Sequence, residues 1–249
     1  MSHENNKGNG KHTLKIGNLV IHTPLQRKVA ILGGTGSGKT TTLKLIALHA
    51  QESGIHCFIF DPLNVINITG FQKIVVGKKS CNQGAVMGNL LNSIKHTDSI
   101  IISFKDMLRY EQVQFINDVF AHWKAHDDLI FIDEVHEFVP QKNTKENYSP
   151  EVERAIRHWR NMNCGFVFDS QRPAYCAKDV LALTDLLVVH RTVYPNDVDV
   201  IKEISSNILT PEQLQNMLSK IQTLKVGQYF KIDFRYQESQ NSILPNKEN

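Results

Sequence analysis

Residues 33–40 read Gly33-Gly34-Thr35-Gly36-Ser37-Gly38-Lys39-Thr40, and no other stretch narrows the fold of this chain so far. They fit the pattern G-x-x-x-x-G-K-[ST], with the apolar run VAIL before them and the helix-like TTTLKLIALHA after them. Glycines let the backbone turn tightly and aim successive N–H groups at a phosphate, beside a helix N-terminus that favours anions. Lys39 then reaches the β- and γ-phosphates, and the Thr40 hydroxyl holds Mg²⁺. Gly34, Thr35, Gly36, Ser37, Gly38, Lys39, Thr40 and Thr41 are the expected nucleotide contacts, with ATP and Mg²⁺ as the expected ligands.

A loop of this kind joins a buried strand to a helix, so the rest of the chain must supply a sheet. Apolar runs at residues 29–32, 56–60, 99–104, 129–132, 165–168 and 186–190 alternate with helix-like spacing over 40–52, 107–125 and 150–161. Continuous apolar strands belong to parallel sheets covered on both faces. Their alternation with helices predicts an α/β fold with a mostly parallel central sheet flanked by helices. Residues 14–23 fit a strand pair ahead of this core. Residues 210–219 fit a short helix capped by Thr210, before a closing strand at 228–234.

Composition removes the alternatives. With 249 residues, 41% hydrophobic and 21% charged, the chain is neither disordered nor a disulfide-stapled miniprotein. No apolar run nears the roughly 20 residues of a membrane-spanning helix. The cysteines, at 57, 81, 164 and 176, form no C-x-x-C pair, which gives a zinc or thioredoxin-like site no support. Cys57 and Cys164 are expected to be packed thiols. Residues 1–12 and 237–249 are polar and predict flexible tails around one domain at 13–236. The first segment lacks the apolar core of a secretory signal, so the expected location is cytoplasmic. A pI near 8.6 permits nucleic acid as a partner without requiring it.

A phosphate loop needs a carboxylate at the end of a neighbouring strand. Leu129-Ile130-Phe131-Ile132-Asp133-Glu134 supplies one: Asp133 on the metal side, and Glu134 where it can orient and deprotonate water. Two acids at a strand end are also common helix caps. Gln171, past the run 165–168, is either a γ-phosphate sensor or part of an ordinary strand-to-loop turn. Plainer readings cover the rest. His122 and His126 suit a solvated face, Trp123 and Trp159 suit packing, and Asp61 suits a sheet end.

The set GGTGSGKT, LIFIDEVHEFVP and RNMNCGFVFDSQRP, spanning about residues 28–192, resembles the HerA/FtsK superfamily of ring-forming DNA-translocating ATPases. It is most similar to HerA-like members and to the genome-packaging ATPases of icosahedral viruses with internal membranes. The resemblance implies a RecA-like (ASCE) P-loop fold and an ATP-hydrolysing homo-oligomer, a hexameric ring that moves double-stranded DNA without reading its sequence. It implies the roles given above for Lys39, Thr40, Asp133, Glu134 and Gln171. It also implies an arginine about eleven residues before the sensor that reaches the neighbouring subunit's ATP, here Arg160. The family often has Arg-Lys where this chain has Arg160-Asn161, so Arg154, Arg157 and Arg191 remain alternatives. A motor without the family's extra β-barrel or membrane helices fits viral genome packaging, with a capsid or membrane vertex protein as a docking partner. The alternatives are a HerA-like translocase of a cell or mobile element, a small-molecule kinase, and an ATP-gated DNA-binding factor. The loop at 141–149, with Lys142 and Lys145, is the expected DNA contact.

Overall fold

The apolar runs are continuous because alternate side chains feed two separate cores. Ala30 and Leu32 of β3 (Lys28–Leu32), Phe58 and Phe60 of β4 (His56–Asp61), and Ile130 and Ile132 of β7 (Asp128–Ile132) enter one core. Val29, Ile31, Cys57, Ile59, Leu129 and Phe131 enter the other. A side-chain period of two on a sheet with both faces covered produces this division.

The computed structural model describes residues 12–77, 84–94, 98–142, 144, 146–236 and 238–243. A hairpin, β1 (Thr13–Ile16) with β2 (Leu19–His22), precedes the sheet, as residues 14–23 led us to expect. The second core lies beneath this hairpin and α1 (Lys39–Glu52). On the opposite face lie α2 (Gly84–Ser93), α3 (Arg109–His122), α4 (Pro150–His158), α5 (Lys178–Leu181), α6 (Pro195–Ser205) and α7 (Pro211–Ile221). Trp123 and Trp159 pack there against Phe120, with ring centroids 5.8 and 5.1 Å from it, so both tryptophans are core. Thr210 caps α7 as read: its hydroxyl accepts from Gln213 N–H, and the Gln213 side chain accepts from Thr210 N–H.

Among the described residues the sheet has nine strands. The remaining ones are β5 (Gln72–Gly77), β6 (Ile100–Lys105), β8 (Gly165–Ser170), β9 (Leu186–Val189), β10 (Gln228–Asp233) and β11 (Glu238–Ile243). Their order is β11-β10-β9-β3-β8-β7-β4-β6-β5, parallel from β9 to β5, with β10 and β11 antiparallel. β11 corrects the expectation of a flexible tail from residue 237. Its six residues pair along the whole of β10, and backbone hydrogen bonding needs no apolar sequence. β10 is therefore not the closing strand. It is fixed at its far end by Arg27, whose guanidinium donates to both Asp233 oxygens at 2.9 Å in a buried fork. Residues 1–11, Cys81, Lys145 and 244–249 lie outside the described residues.

Candidate active site

Parallel register collects the chemistry at one rim. Leu32 pairs with Ser170, Phe168 with Ile132, and Ile132 with Phe60, so β3, β8, β7 and β4 end side by side. The residues after those strands are the phosphate loop, Gln171, Asp133 with Glu134, and the Asp61 loop. β8 lies between the phosphate-loop strand and the acid strand, which puts Gln171 between them.

The loop has the backbone that its glycines permit: Gly36 at φ 70° and Gly38 at φ 114°, conformations strained for other residues. Gly33 is required for a different reason. A Cβ there would sit 2.7 Å from the Cβ of His190, which packs beneath the loop. His190 braces this corner. Its Nδ1–H donates to the Gln228 carbonyl at 2.9 Å, and its Nε2 lies 2.8 Å from the Thr42 hydroxyl of α1. Burial, reinforced by the charge of Lys39, lowers its pKa to about 4 and keeps the ring neutral. Sequence reasoning gave His190 no role. The residue lies at the tip of a buried strand, and only the register shows what it touches.

The site fits a nucleotide and a metal. α1 starts at Gly38 without any side-chain cap, so its first-turn N–H groups are open to an anion. Lys39 is buried beside them, with its ammonium on the Gly34 carbonyl at 3.2 Å. Opposite stand Asp133, Glu134 and Asp169, all buried. Burial, then the charges of Asp169 and Glu134, pushes the Asp133 carboxyl up to about 10. Burial, then Glu134, pushes Asp169 up to about 6, and among the described residues one buried Asp169 oxygen has no hydrogen-bond donor. Acids held at this cost need a proton or a cation among them. Thr40 and Asp133 are the residues that would hold Mg²⁺. Among the described residues no group of three or more His, Cys, Asp or Glu is arranged to hold a metal ion by itself.

Glu134 carries the most constrained backbone of the site. It is left-handed at φ 49°, ψ 55°. Its N–H donates to Asp169 Oδ1 at 2.8 Å, its carbonyl accepts from Glu137 N–H at 2.8 Å, and its Oε2 accepts from Gln171 N–H at 3.0 Å. The Gln171 side chain in turn accepts from the Thr35 hydroxyl. Glu134, Gln171 and the loop thus form one connected unit. Asp169 is the member that sequence reading missed, although it too is an acid ending a buried strand.

The side chains of the other candidates stand outside this unit. Asp61 clamps its own loop, accepting from Val65 N–H, Ile66 N–H and the Ser103 hydroxyl. Arg191 is exposed and meets the loop through its carbonyl, which accepts from Gly34 N–H at 2.8 Å. Arg154 pairs with Glu151, and Arg157 with Glu153 and Asp179. Arg160 is exposed in the turn Trp159–Met162 before β8, and of these three it alone has no carboxylate partner among the described residues. The six residues of β8 separate it from Gln171. At about 3.3 Å per residue that is roughly 20 Å, out of reach of its own phosphate loop. Lys142 is exposed on the loop after β7. His122 and His126 are solvated; Cys57, Cys164 and Cys176 are buried.

A phosphate loop, an acid pair two strands away and a polar strand end between them define a P-loop fold of the RecA-like class. Within that class, the chain belongs to the zonular occludens toxin (Zot) family, whose model matches residues 29–226. Among solved structures it is similar to the genome packaging NTPase B204 from Sulfolobus turreted icosahedral virus 2 in complex with AMPPCP. That match has TM-score 0.61 and 17% identity, over 89% of this chain and 99% of that one. The bacterial conjugative coupling protein TrwBdeltaN70 matches with TM-score 0.63 and 11% identity, over 94% and 88%. VirB4 of Thermoanaerobacter pseudethanolicus matches with TM-score 0.63 and 9% identity, over 97% and 98%. No curated protein matches the chain in sequence.

Proposed function

We propose that this chain is an ATPase, converting ATP and water to ADP and phosphate, that works as a hexameric ring to drive double-stranded DNA. Packaging of a viral genome is the service we favour, and the fold shared with B204 supports it. The folds of TrwB and VirB4 support a second reading, DNA transfer for a cell or mobile element.

In this mechanism the loop amides and Lys39 bind the triphosphate. Thr40 and Asp133 would hold Mg²⁺, which would supply positive charge against the triphosphate. Glu134 orients water and accepts its proton, a role worth about 10²–10⁴ in rate. Gln171 contacts the γ-phosphate side and reports its loss to Glu134 through its own N–H. Arg160 of the adjacent copy offsets the negative charge that builds up on the departing γ-phosphate. In comparable enzymes an arginine of this kind is worth about 10³–10⁵.

One observation carries the proposal. Glu134, Gln171 and Asp169 are linked by hydrogen bonds at a rim that Arg160, at the opposite end of β8, is too distant to reach within its own chain. The test is particle size measured with ATPase rate, with and without ATP and duplex DNA. A specific activity that rises with assembly and with DNA is expected; full activity in a monomer contradicts it. Among the described residues no helix is long and apolar enough to cross a membrane.

A further inference from the structure

The turn after Glu134 contains a histidine that the mechanism has not used. His136 is buried, and its ring lies between two carboxylates. Nδ1 is 3.3 Å from Glu134 Oε2 and 3.0 Å from the Ser170 hydroxyl. Nε2 is 3.3 Å from Glu137 Oε1. Glu137 is held in turn by Arg109, whose Nε lies 3.0 Å from its Oε2. The same guanidinium donates to the His136 carbonyl at 2.9 Å and to the Glu137 carbonyl at 3.2 Å. An unbroken chain of polar contacts therefore runs from the partly exposed Arg109, at the start of α3, to Glu134.

Glu134 needs such support. Its carboxylate faces two other acids, Asp133 and Asp169, and among the described residues the backbone donor holding it is Gln171 N–H. That is one hydrogen bond to one oxygen, which leaves the carboxylate free to swing. His136 Nδ1, 3.3 Å from the same Oε2, is placed to give that oxygen a second donor, and the Arg109–Glu137 pair prevents the ring from turning. We propose that His136 is the positioning residue for Glu134, and that Arg109 and Glu137 hold it in place from the surface of α3. This rests on the ATPase reading above. His136 does not touch the phosphates.

The experiment uses the full chain and compares His136→Asn, which keeps a side-chain N–H near the Nδ1 position, with His136→Phe, which fills the space without a donor. Misplacing a catalytic group by about 1 Å costs about 10²-fold, so H136F should lower kcat roughly 30- to 100-fold, while the Kd for ATPγS and the KM for ATP stay within about twofold. H136N should recover kcat to within about fivefold of wild type, because it restores the contact. Arg109→Ala should lower kcat by about five- to tenfold alone and cause no further loss in the H136F background, since both act through one ring. An H136F enzyme within about threefold of wild type, or an H136N enzyme no better than H136F, overturns the proposal. Should H136F fail to fold, Glu137→Gln carries the test: a fall in kcat of about fivefold at unchanged ATPγS affinity supports it, and an unchanged kcat overturns it. A wild-type chain that binds ATP and never hydrolyses it overturns the ATPase reading instead, so the two failures are told apart.

Discussion

Asp169 should have two separable functions, and two substitutions distinguish them. Its Oδ1 accepts the Glu134 N–H at 2.8 Å and so anchors a left-handed residue; its charge is buried beside Asp133 and Glu134. Asp169→Asn keeps an acceptor and removes the charge, whereas Asp169→Ala removes both. The alanine variant leaves a buried N–H unsatisfied, which costs about 1–3 kcal/mol. It also leaves the left-handed backbone, itself worth about 1–3 kcal/mol of strain, without its anchor. Because both variants lose the charge, the difference between them measures the anchor: about 2 kcal/mol, or roughly 5 °C in Tm for a chain of this length. The pH sign follows from the raised carboxyl. Protonated Asp169 favours the fold below about pH 4, and that contribution is lost as pH rises through about 6. Nucleotide-free D169N should lack this decline. Calorimetry of both variants from pH 4 to 8, with ATPase rates alongside, checks each point. D169A should lose about 10²-fold in kcat, and D169N less. Equal Tm values for the two variants would refute the anchoring argument.

Three further outcomes are expected. Glu134→Gln keeps an acceptor for Gln171 N–H, so it should bind ATP as tightly as wild type while turnover falls about 10²–10⁴-fold; hydrolysis within threefold removes Glu134 from its role. Lys39→Ala should weaken ATP binding, read by titration with a fluorescent nucleotide. Because Asp133 holds a proton well above its ordinary range, MgATP binding at pH 8 should release about one proton, measured by calorimetry in buffers of differing ionisation enthalpy. Asp133→Asn should release none.

What could be read from sequence follows from what each feature depends on. β3, β4, β6, β7, β8 and β9 declare themselves because both faces of each strand are buried. β5 (QKIVVG) is an edge strand, mostly half-buried or exposed, and so too mixed to stand out. β11 (ESQNSI) is polar and is held by main-chain pairing, which composition does not record. α6 begins with Pro195 at its first turn, a usable signal that went unread. At the site, the loop and the acid pair are local in sequence and were legible. Asp169, His136 and His190 act through neighbours brought by register across β7, β8, β9 and α1, and no spacing along the chain encodes that pairing. Arg160 is proposed from resemblance alone; its distance from its own loop needed the sheet.

Mixing two inactive chains gives the most direct test of whether ATP is cut between copies. Glu134→Gln lacks the base and Arg160→Ala lacks the reaching charge, so neither should turn over alone. In mixed rings about a quarter of the junctions pair an intact Glu134 with an intact Arg160. The ATPase rate should then rise well above that of either parent on mixing, towards that fraction of wild type. A mixture no more active than its components would contradict the account.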